Sequence, residues 1–239
     1  MNNSDNNNPA NNPLVTAFAS EVEKMGSPDS ATAARRLRFG IYGNVDPRKE
    51  LWAGIVYFMA QEKRQPQWLP AYDKVAEWLS DNEGRGLICV GTCGLGKTVI
   101  CQKVLPVLFS RHFGLEVLSV TANEMNVRID ELLKYCQPNH IIIIDDLGTE
   151  PAETVSFGNR RRPFCELVDT AERRGTLLII TTNLRTTMSR LKEDCSLGRV
   201  GDPDPRGLES IESRYGVPTL DRLRATTRVV RFTGESLRK

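Results

Sequence analysis

Two spacings of apolar residues recur along the chain from residue 86 onward. Short unbroken runs, such as the four isoleucines at 141–144, are typical of strands buried on both faces of a parallel sheet. Between these runs the apolar positions follow helical spacing. Strands are predicted over residues 86–90, 116–121, 140–145, 176–182 and 228–232, and helices over 98–110, 122–136, 163–174 and, in short pieces, 208–223. This alternation predicts an α/β fold with a central parallel sheet flanked by helices.

The stretch before this alternation follows a different pattern. Residues 1–13 are rich in asparagine and almost free of apolar side chains, so they are expected to be disordered. Apolar positions within 14–25 recur at helical spacing, which leaves a short helix and an unstructured tail as equal alternatives. Asp46 and Pro47 are typical of a helix N-cap and first turn, and they predict a helix from that point. Residues 194–207 are rich in Gly, Pro and Asp and predict an exposed loop.

A glycine-rich motif follows the first predicted strand. Residues 91–98 read G-T-C-G-L-G-K-T, the pattern of the phosphate-binding loop in nucleoside triphosphatases. Glycines let backbone N–H groups approach phosphate oxygens, Lys97 supplies a cation for the β- and γ-phosphates, and the Thr98 hydroxyl can ligate Mg²⁺. The phosphates would lie at the positive N-terminus of the next helix. The candidate nucleotide ligands are Gly91, Thr92, Cys93, Gly94, Leu95, Gly96, Lys97 and Thr98.

Two acids follow the isoleucine run, where a parallel sheet opens its carboxyl edge to ligands. Asp145 can hold the Mg²⁺ that bridges the phosphates, and Asp146 can orient or deprotonate the attacking water. An Asp-Asp pair alone would more often be a solvated turn. Downstream of a phosphate-binding loop, the pair is the expected second half of an ATP·Mg²⁺ site.

Composition limits the remaining classes of function. The chain has 239 residues, with 32 basic and 30 acidic side chains and a net charge of +2, so overall charge does not indicate a nucleic-acid binder. Its six cysteines form no C-x-x-C pair, and with only two histidines no zinc pattern is present. Unpaired thiols favour a reducing compartment. Without a membrane span or a signal peptide in the sequence, a soluble, cytoplasmic protein that does not contact a membrane is expected.

Taken in order, the motifs resemble those of the AAA+ ATPases, in particular the DnaC/IstB family of helicase loaders and transposition helper ATPases. The matching stretches are GTCGLGKT (91–98), IIIIDDLG (141–148), LLIITTNL (177–184), YGVPTLDRLR (215–224) and RFTGESLR (231–238). The resemblance implies an AAA+ P-loop domain over 70–239 that uses ATP and Mg²⁺. Ahead of it we expect a disordered tail over 1–30 and a helical, partner-binding segment over 31–69.

The resemblance also assigns roles to single residues. Asn183 matches the sensor-1 position beside the γ-phosphate and the attacking water, although it could simply cap a strand. Arg222 matches the arginine finger, whose planar cation reaches the nucleotide of a neighbouring subunit. Arg238 matches the sensor-2 arginine, which acts in cis. For both arginines an ordinary surface position is the alternative.

The sequence departs from the family pattern at two places. Asp146 stands where many AAA+ motors have Glu, which implies slow or partner-stimulated hydrolysis. The run Arg160, Arg161 and Arg162 has no role in the family pattern.

The family's partners define the leading functional hypothesis. In the family the helix after the second strand lines a pore for single-stranded DNA, which here makes Arg128 and Lys134 candidate phosphate contacts. Because acids are interspersed in residues 122–136, a solvated helix face is an equal alternative, and the arginines of 160–162 and of the C-terminal stretch are other candidate contacts. The hypothesis is a DnaC-like ATPase that forms a homo-oligomer with ATP, binds single-stranded DNA and delivers a replicative helicase in DNA replication. An IstB-like helper with a transposase partner, or a nucleotide-binding adaptor with little hydrolysis, are the alternatives.

Overall fold

The computed structural model describes residues 12–24, 45–138, 140–156, 158–186, 209–234 and 236–237. Residues 1–11 of the asparagine-rich start, the whole of the predicted loop at 194–207 and Arg238 lie outside these ranges. Among the described residues, no helix is both long and apolar enough to cross a bilayer.

Five parallel strands form the central sheet, which confirms the predicted α/β fold. Their order is β2-β3-β6-β1-β7, so the strand before the phosphate-binding loop, β1, lies between β6 and β7. The strands are β1 (Gly86–Gly91), β2 (Val117–Thr121), β3 (Ile141–Leu147), β6 (Leu177–Thr182) and β7 (Thr227–Phe232). This order brings the carboxyl ends of β1, β6 and β3 side by side at one edge of the sheet.

The isoleucine run explains how both faces of the sheet are covered. All four isoleucines are fully buried. Ile141 and Ile143 pack with the helices of the N-terminal half, whereas Ile142 and Ile144 pack with the helices of the C-terminal half. Because side chains alternate between the faces of a strand, an unbroken apolar run is what a two-sided core requires.

The helices of the N-terminal half are α1 (Pro13–Lys24), α2 (Pro47–Gln61), α3 (Pro70–Ser80) and α4 (Leu105–Phe113). Of the two alternatives for residues 14–25, the structure has the helix, and its Phe18 is fully buried. Gly54 on α2 allows this packing, because a Cβ there would lie 2.7 Å from the Phe18 ring and 2.6 Å from Val104. The helices α1 and α2 therefore share a core with the phosphate-loop helix, while the division into domains stays a prediction.

The helix after the phosphate-binding loop contains a wide turn. Helical structure begins at Lys97, passes through a π-helical segment at Val99–Val104 and continues as α4. Leu105 donates its N–H to the carbonyl of Ile100, five residues earlier. The next residue is Pro106, which has no N–H and would clash with a carbonyl in a regular α-turn. The π-turn accommodates this proline.

The C-terminal half differs from the prediction in two places. The single helix predicted over 122–136 is wrong, because α5 (Ala122–Val127) and α6 (Ile129–Tyr135) are separate and break at Arg128. A small antiparallel hairpin that follows β3 was not predicted, and it pairs Val155 with Arg160. The remaining elements are β4 (Thr154–Ser156), β5 (Asn159–Arg161), α7 (Pro163–Arg174), α8 (Ile211–Tyr215) and α9 (Val217–Thr226).

Candidate nucleotide-binding site

The glycine-rich loop leaves the end of β1 and is enclosed from two sides. Gly94 and Gly96 have φ angles of +86° and +80°, which residues with a Cβ rarely adopt. A Cβ at Gly94 would lie 2.1 Å from Ser236 Oγ, and one at Gly96 would lie 2.5 Å from the Tyr72 hydroxyl oxygen. Both glycines are therefore required by backbone conformation and by close approach.

Two hydrogen bonds hold this loop in place. The Tyr72 hydroxyl donates to the carbonyl of Leu95 at 3.2 Å, and the N–H of Leu237 donates to the carbonyl of Gly94 at 2.8 Å. Tyr72 is fully buried, and burial raises its pKa to about 12. It remains a neutral donor at physiological pH, so a helix and the C-terminal segment together fix the loop.

Lys97 lies at the centre of the site and is only 5% exposed. Its Nζ donates to the carbonyls of Gly91 at 2.7 Å and Thr92 at 2.8 Å, and to Oδ1 of Asn183 at 3.0 Å. Burial lowers the pKa of Lys97, while the nearby ionisable groups of Cys93, Asp146, Cys89 and Asp145 oppose that shift. The structure thus brings together the predicted phosphate-binding lysine and the predicted sensor residue.

The acid pair lies beside Lys97, as the motif spacing predicted. Asp145 is buried and accepts hydrogen bonds from Thr181 Oγ1 at 2.5 Å and from Thr98 Oγ1 at 3.2 Å. Burial raises the pKa of Asp145, and the hydrogen bonds from Thr181 and Thr98 oppose the rise. Thr181, which no motif indicated, is therefore the principal polar support of this carboxylate.

Asp146 is positioned differently from its neighbour. The strand register is irregular between Ile144 and Leu147, and Asp146 has a φ of +54°. Its N–H donates to Thr181 Oγ1 at 2.9 Å, while its side chain is exposed. The irregularity turns one carboxylate into the core and the other towards solvent, which suits the separate roles predicted for the two acids.

A cavity of about 110 Å³ joins these groups. The cavity is lined by the glycine-rich loop, by the first turn of the helix after it, by Asp146 and Asn183, and by three side chains from other segments. These residues are Cys93, Gly94, Gly96, Lys97, Thr98, Val99, Asp146, Asn183, Met59, Arg64 and Leu237. Met59 comes from the last turn of α2, Arg64 comes from the segment just after it, and no motif predicted either residue.

The oxygen donors fit a magnesium ion. The Thr98 hydroxyl and the Asp145 carboxylate are within 3.2 Å of each other, and hard cations prefer such oxygen ligands. Within the described ranges, no group of three or more His, Cys, Asp or Glu side chains forms a metal site. A site with only one or two protein ligands is typical of Mg²⁺, because this ion retains several water ligands and binds phosphate oxygens of the nucleotide.

The structure places one of the two predicted arginines, Arg222, away from the cavity. Arg222 on α9 pairs with Glu172 at 3.0 Å and with Asp169 at 3.2 Å on α7. Among the described residues it is not part of the cavity lining, so it does not serve the site of its own chain in this structure. Arg238 lies outside the described residues, and its assignment stays a prediction.

The candidate DNA contacts are partly engaged in ion pairs. Arg128, at the break between α5 and α6, pairs with Glu131 at 2.7 Å. Arg161 pairs with Glu166 at 2.6 Å and with Asp130 at 2.9 Å. A structural role therefore accounts for one member of the arginine run, and DNA binding by this face stays a prediction.

Comparisons with known proteins find solved structures that are distantly similar to this chain. No protein-family model matches it, and no curated protein does. The crystal structure of the DnaC helicase loader is 17% identical, covers 72% of this chain and 95% of its own, and has a TM-score of 0.48. DnaI is 18% identical, with 64% and 73% covered and a TM-score of 0.41. AMPPCP-bound DnaA from Aquifex aeolicus is 16% identical, with 70% and 47% covered and a TM-score of 0.42.

Such distant similarities establish nothing about function. The fold is instead described by the strand order and the loop geometry of this chain. The predicted fold class, a central parallel sheet flanked by helices, is confirmed by the strand order of this chain itself. The likeness to the AAA+ ATPases is carried by the sequence motifs.

Proposed function

We propose that this protein is a helicase-loader ATPase that binds ATP with Mg²⁺ and hydrolyses it slowly. One observation carries the proposal: Lys97, Thr98 and Asn183 line a single cavity. Lys97 bonds to Asn183 at 3.0 Å, and Thr98 bonds to the adjacent Asp145 at 3.2 Å. These are the groups that phosphoryl transfer requires at one place, since catalysis of this reaction is mainly positioning and charge stabilisation.

Each group has a defined task in the proposed reaction. Lys97 binds the β- and γ-phosphates, and the loop N–H groups bind phosphate oxygens at the positive end of the helix. Thr98 and Asp145 would hold Mg²⁺, which supplies charge neutralisation of the phosphate oxygens. Asp146 accepts a hydrogen bond from the attacking water, and Asn183 orients that water from the end of β6.

The geometry of Asp146 supports slow turnover. Its carboxylate is exposed and is one methylene shorter than the Glu of many AAA+ motors. An exposed carboxylate is solvated by bulk water, so a partner that closes the site and excludes this water would accelerate hydrolysis. Binding would then act mainly as a switch for assembly and release.

The partners in this proposal follow from the order of the motifs. A replicative helicase is the protein partner, single-stranded DNA binds near α5 and α6, and Arg222 completes the nucleotide site of a neighbouring copy in a homo-oligomer. A transposase in place of the helicase defines the IstB-like alternative. The location in this proposal is the cytoplasm.

Nucleotide binding and turnover test the proposal directly. Fluorescent ATP is titrated into the full chain with Mg²⁺, and phosphate release is measured with and without single-stranded DNA. Lys97→Ala is expected to weaken binding at least tenfold, which corresponds to about 1.4 kcal/mol. Lys74→Ala, an exposed lysine paired with Glu77 on α3, serves as the control. If the wild type does not bind ATP, or if Lys97→Ala binds as well as Lys74→Ala, the proposal is wrong.

Mixing two inactive variants tests the shared site. Lys97→Ala and Arg222→Ala are each expected to have low turnover alone. If Arg222 acts across subunits, a mixture regains activity at interfaces that combine an intact Lys97 with an intact Arg222. A mixture that stays at the level of the single variants contradicts a site built from two copies. Turnover absent under every condition, with intact binding, identifies the adaptor alternative.

A further inference from the structure

The end of helix α2 is built to place one cation at the nucleotide cavity. Lys63 has a φ of +56°, its N–H donates to the carbonyl of Ala60 at 3.0 Å, and the N–H of Arg64 donates to the carbonyl of Met59 at 2.9 Å. These two bonds form a Schellman motif, which reverses the chain over the last helical turn. Met59 and Arg64 consequently lie together, and both line the cavity that contains Lys97 and Thr98.

Arg64 also borders a second and larger cavity. That cavity has a volume of about 800 Å³, and it runs between the segment after α2 and the C-terminal residues Ser236 and Leu237. Arg64 and Leu237 line both spaces. The smaller space has the phosphate-binding groups, and the larger one has room for the rest of a nucleotide. Arg64 therefore lies at the junction between them.

The present partner of Arg64 leaves its guanidinium accessible to an anion. Arg64 pairs with Glu62 at 2.9 Å, and these side chains are 37% and 29% exposed. Glu62 is shared, because Lys103 Nζ lies 2.7 Å from its other oxygen. An exposed ion pair of this kind contributes only about 0–1 kcal/mol. A phosphate accepts two parallel hydrogen bonds from a guanidinium and is a stronger partner.

Resting on the proposed function, we propose that Arg64 binds the phosphate chain of the nucleotide at the end nearer the ribose. Arg64 and Lys97 are the two cationic side chains in the described lining of the smaller cavity. Lys97 approaches from the loop, and Arg64 approaches from the segment just after α2. Helix α2 packs against α1 and the π-helical segment, so the occupied site is linked to the N-terminal helices. The nucleotide thus contacts the segment that is expected to bind the partner protein.

Binding measurements on two Arg64 variants test this inference. Arg64→Ala and Arg64→Gln are titrated with fluorescent ATP beside the wild type and Lys74→Ala. Both Arg64 variants are expected to bind ATP roughly tenfold more weakly, and with a smaller dependence on salt concentration than the wild type. Because a phosphate contact is blind to the base, the preference for ATP over GTP is expected to stay unchanged. Lys74→Ala, which also removes an exposed cation next to an acid, is expected to bind like the wild type.

Three outcomes would overturn the role of Arg64 without affecting the proposed ATPase. These are binding by Arg64→Gln within twofold of the wild type, an unchanged salt dependence, and an altered ratio of ATP to GTP affinity, which would indicate a base contact. In each case Lys97→Ala still loses binding, so a failure of Arg64 is distinguishable from a failure of the site. Melting temperatures of all variants check folding, and the retained stem of Arg64→Gln keeps the test valid if Arg64→Ala is unstable.

Discussion

Replacing Thr181 by valine should both destabilise the protein and make its stability depend more strongly on pH. The Thr181 hydroxyl is fully buried. It donates to Asp145 at 2.5 Å and accepts from the N–H of Asp146 at 2.9 Å. A bond to a charged group contributes roughly 1.5–3 kcal/mol and a neutral one roughly 0.5–1.5 kcal/mol. Thr181→Val is therefore expected to lower the free energy of unfolding by about 2–4 kcal/mol near neutral pH.

The pH dependence follows from the carboxyl group of Asp145. Burial raises the pKa of Asp145, so the folded state binds this proton more tightly than the unfolded chain does. The ionised form therefore costs stability in full above this raised pKa, and the cost is lost as pH falls from the raised value to the usual Asp pKa of about 4. Thr181 opposes the rise. Its loss should therefore cost less in acid, where the lost bond from the N–H of Asp146 remains, and the deficit should grow as pH rises through the pKa of Asp145.

The next residue provides a matched control. Thr182 is equally buried, but its hydroxyl donates to the carbonyl of Leu147 at 2.6 Å and accepts from the N–H of Leu184 at 3.0 Å. Thr182→Val should lose about 1–3 kcal/mol, with no added pH dependence. Urea unfolding of both variants is measured from about pH 5 to about pH 8, within the range where linked protonation changes stability. Equal pH dependence in the two variants would refute the assigned role of Thr181.

Three other changes test separate parts of the structure. Lys63→Gly should raise the free energy of unfolding by about 0.5–1 kcal/mol in urea titrations, because glycine adopts the left-handed conformation without a steric penalty; a decrease would contradict the Schellman geometry. The exposed thiol of Cys93, on the loop, should react with maleimide more slowly as ATP·Mg²⁺ saturates the site. Mass spectrometry of the labelled peptides measures this rate, and an unchanged rate at saturation would contradict nucleotide binding over the loop. Tyr215→Phe should lower the free energy of unfolding by about 1–3 kcal/mol, because Glu150 loses a buried hydrogen-bond donor, and a melting temperature equal to that of the wild type would count against that bond.

The sequence predicted the features that depend on local pattern. Strands β1, β3 and β6 follow from apolar runs, and the N-cap at Asp46 is observed, with its side chain accepting from the N–H of Arg48 at 2.9 Å. The phosphate-binding loop and the acid pair were predicted because each is a motif with set residue types at set positions in the sequence. The sheet order then brings these predicted groups to one edge.

Features that depend on contacts between distant segments were not predicted. The helical spacing of apolar residues continues across Arg128, but the helix is interrupted there. Nearby, the side-chain amide of Asn126 donates to the carbonyl of Pro151 at 2.7 Å. Similarly, Tyr72 reaches the carbonyl of Leu95, and Arg64 reaches the cavity, with no motif to relate them to the loop. Periodicity and spacing contain no information on such pairs.

The segment that bears Asp145 and Asp146 shows how contacts that were not predicted determine the geometry of a predicted site. On one side, Thr181 fixes both Asp145 and the N–H of Asp146. On the other side, the buried carboxylate of Glu150 accepts from the N–H of Gly148 at 2.8 Å and from the Tyr215 hydroxyl. Asp146 lies between these two anchors in a left-handed conformation that costs a non-glycine residue about 1–3 kcal/mol. Because Tyr215 precedes α9, the helix that bears Arg222, this network ties the position of Asp146 to the surface predicted to face a neighbouring copy.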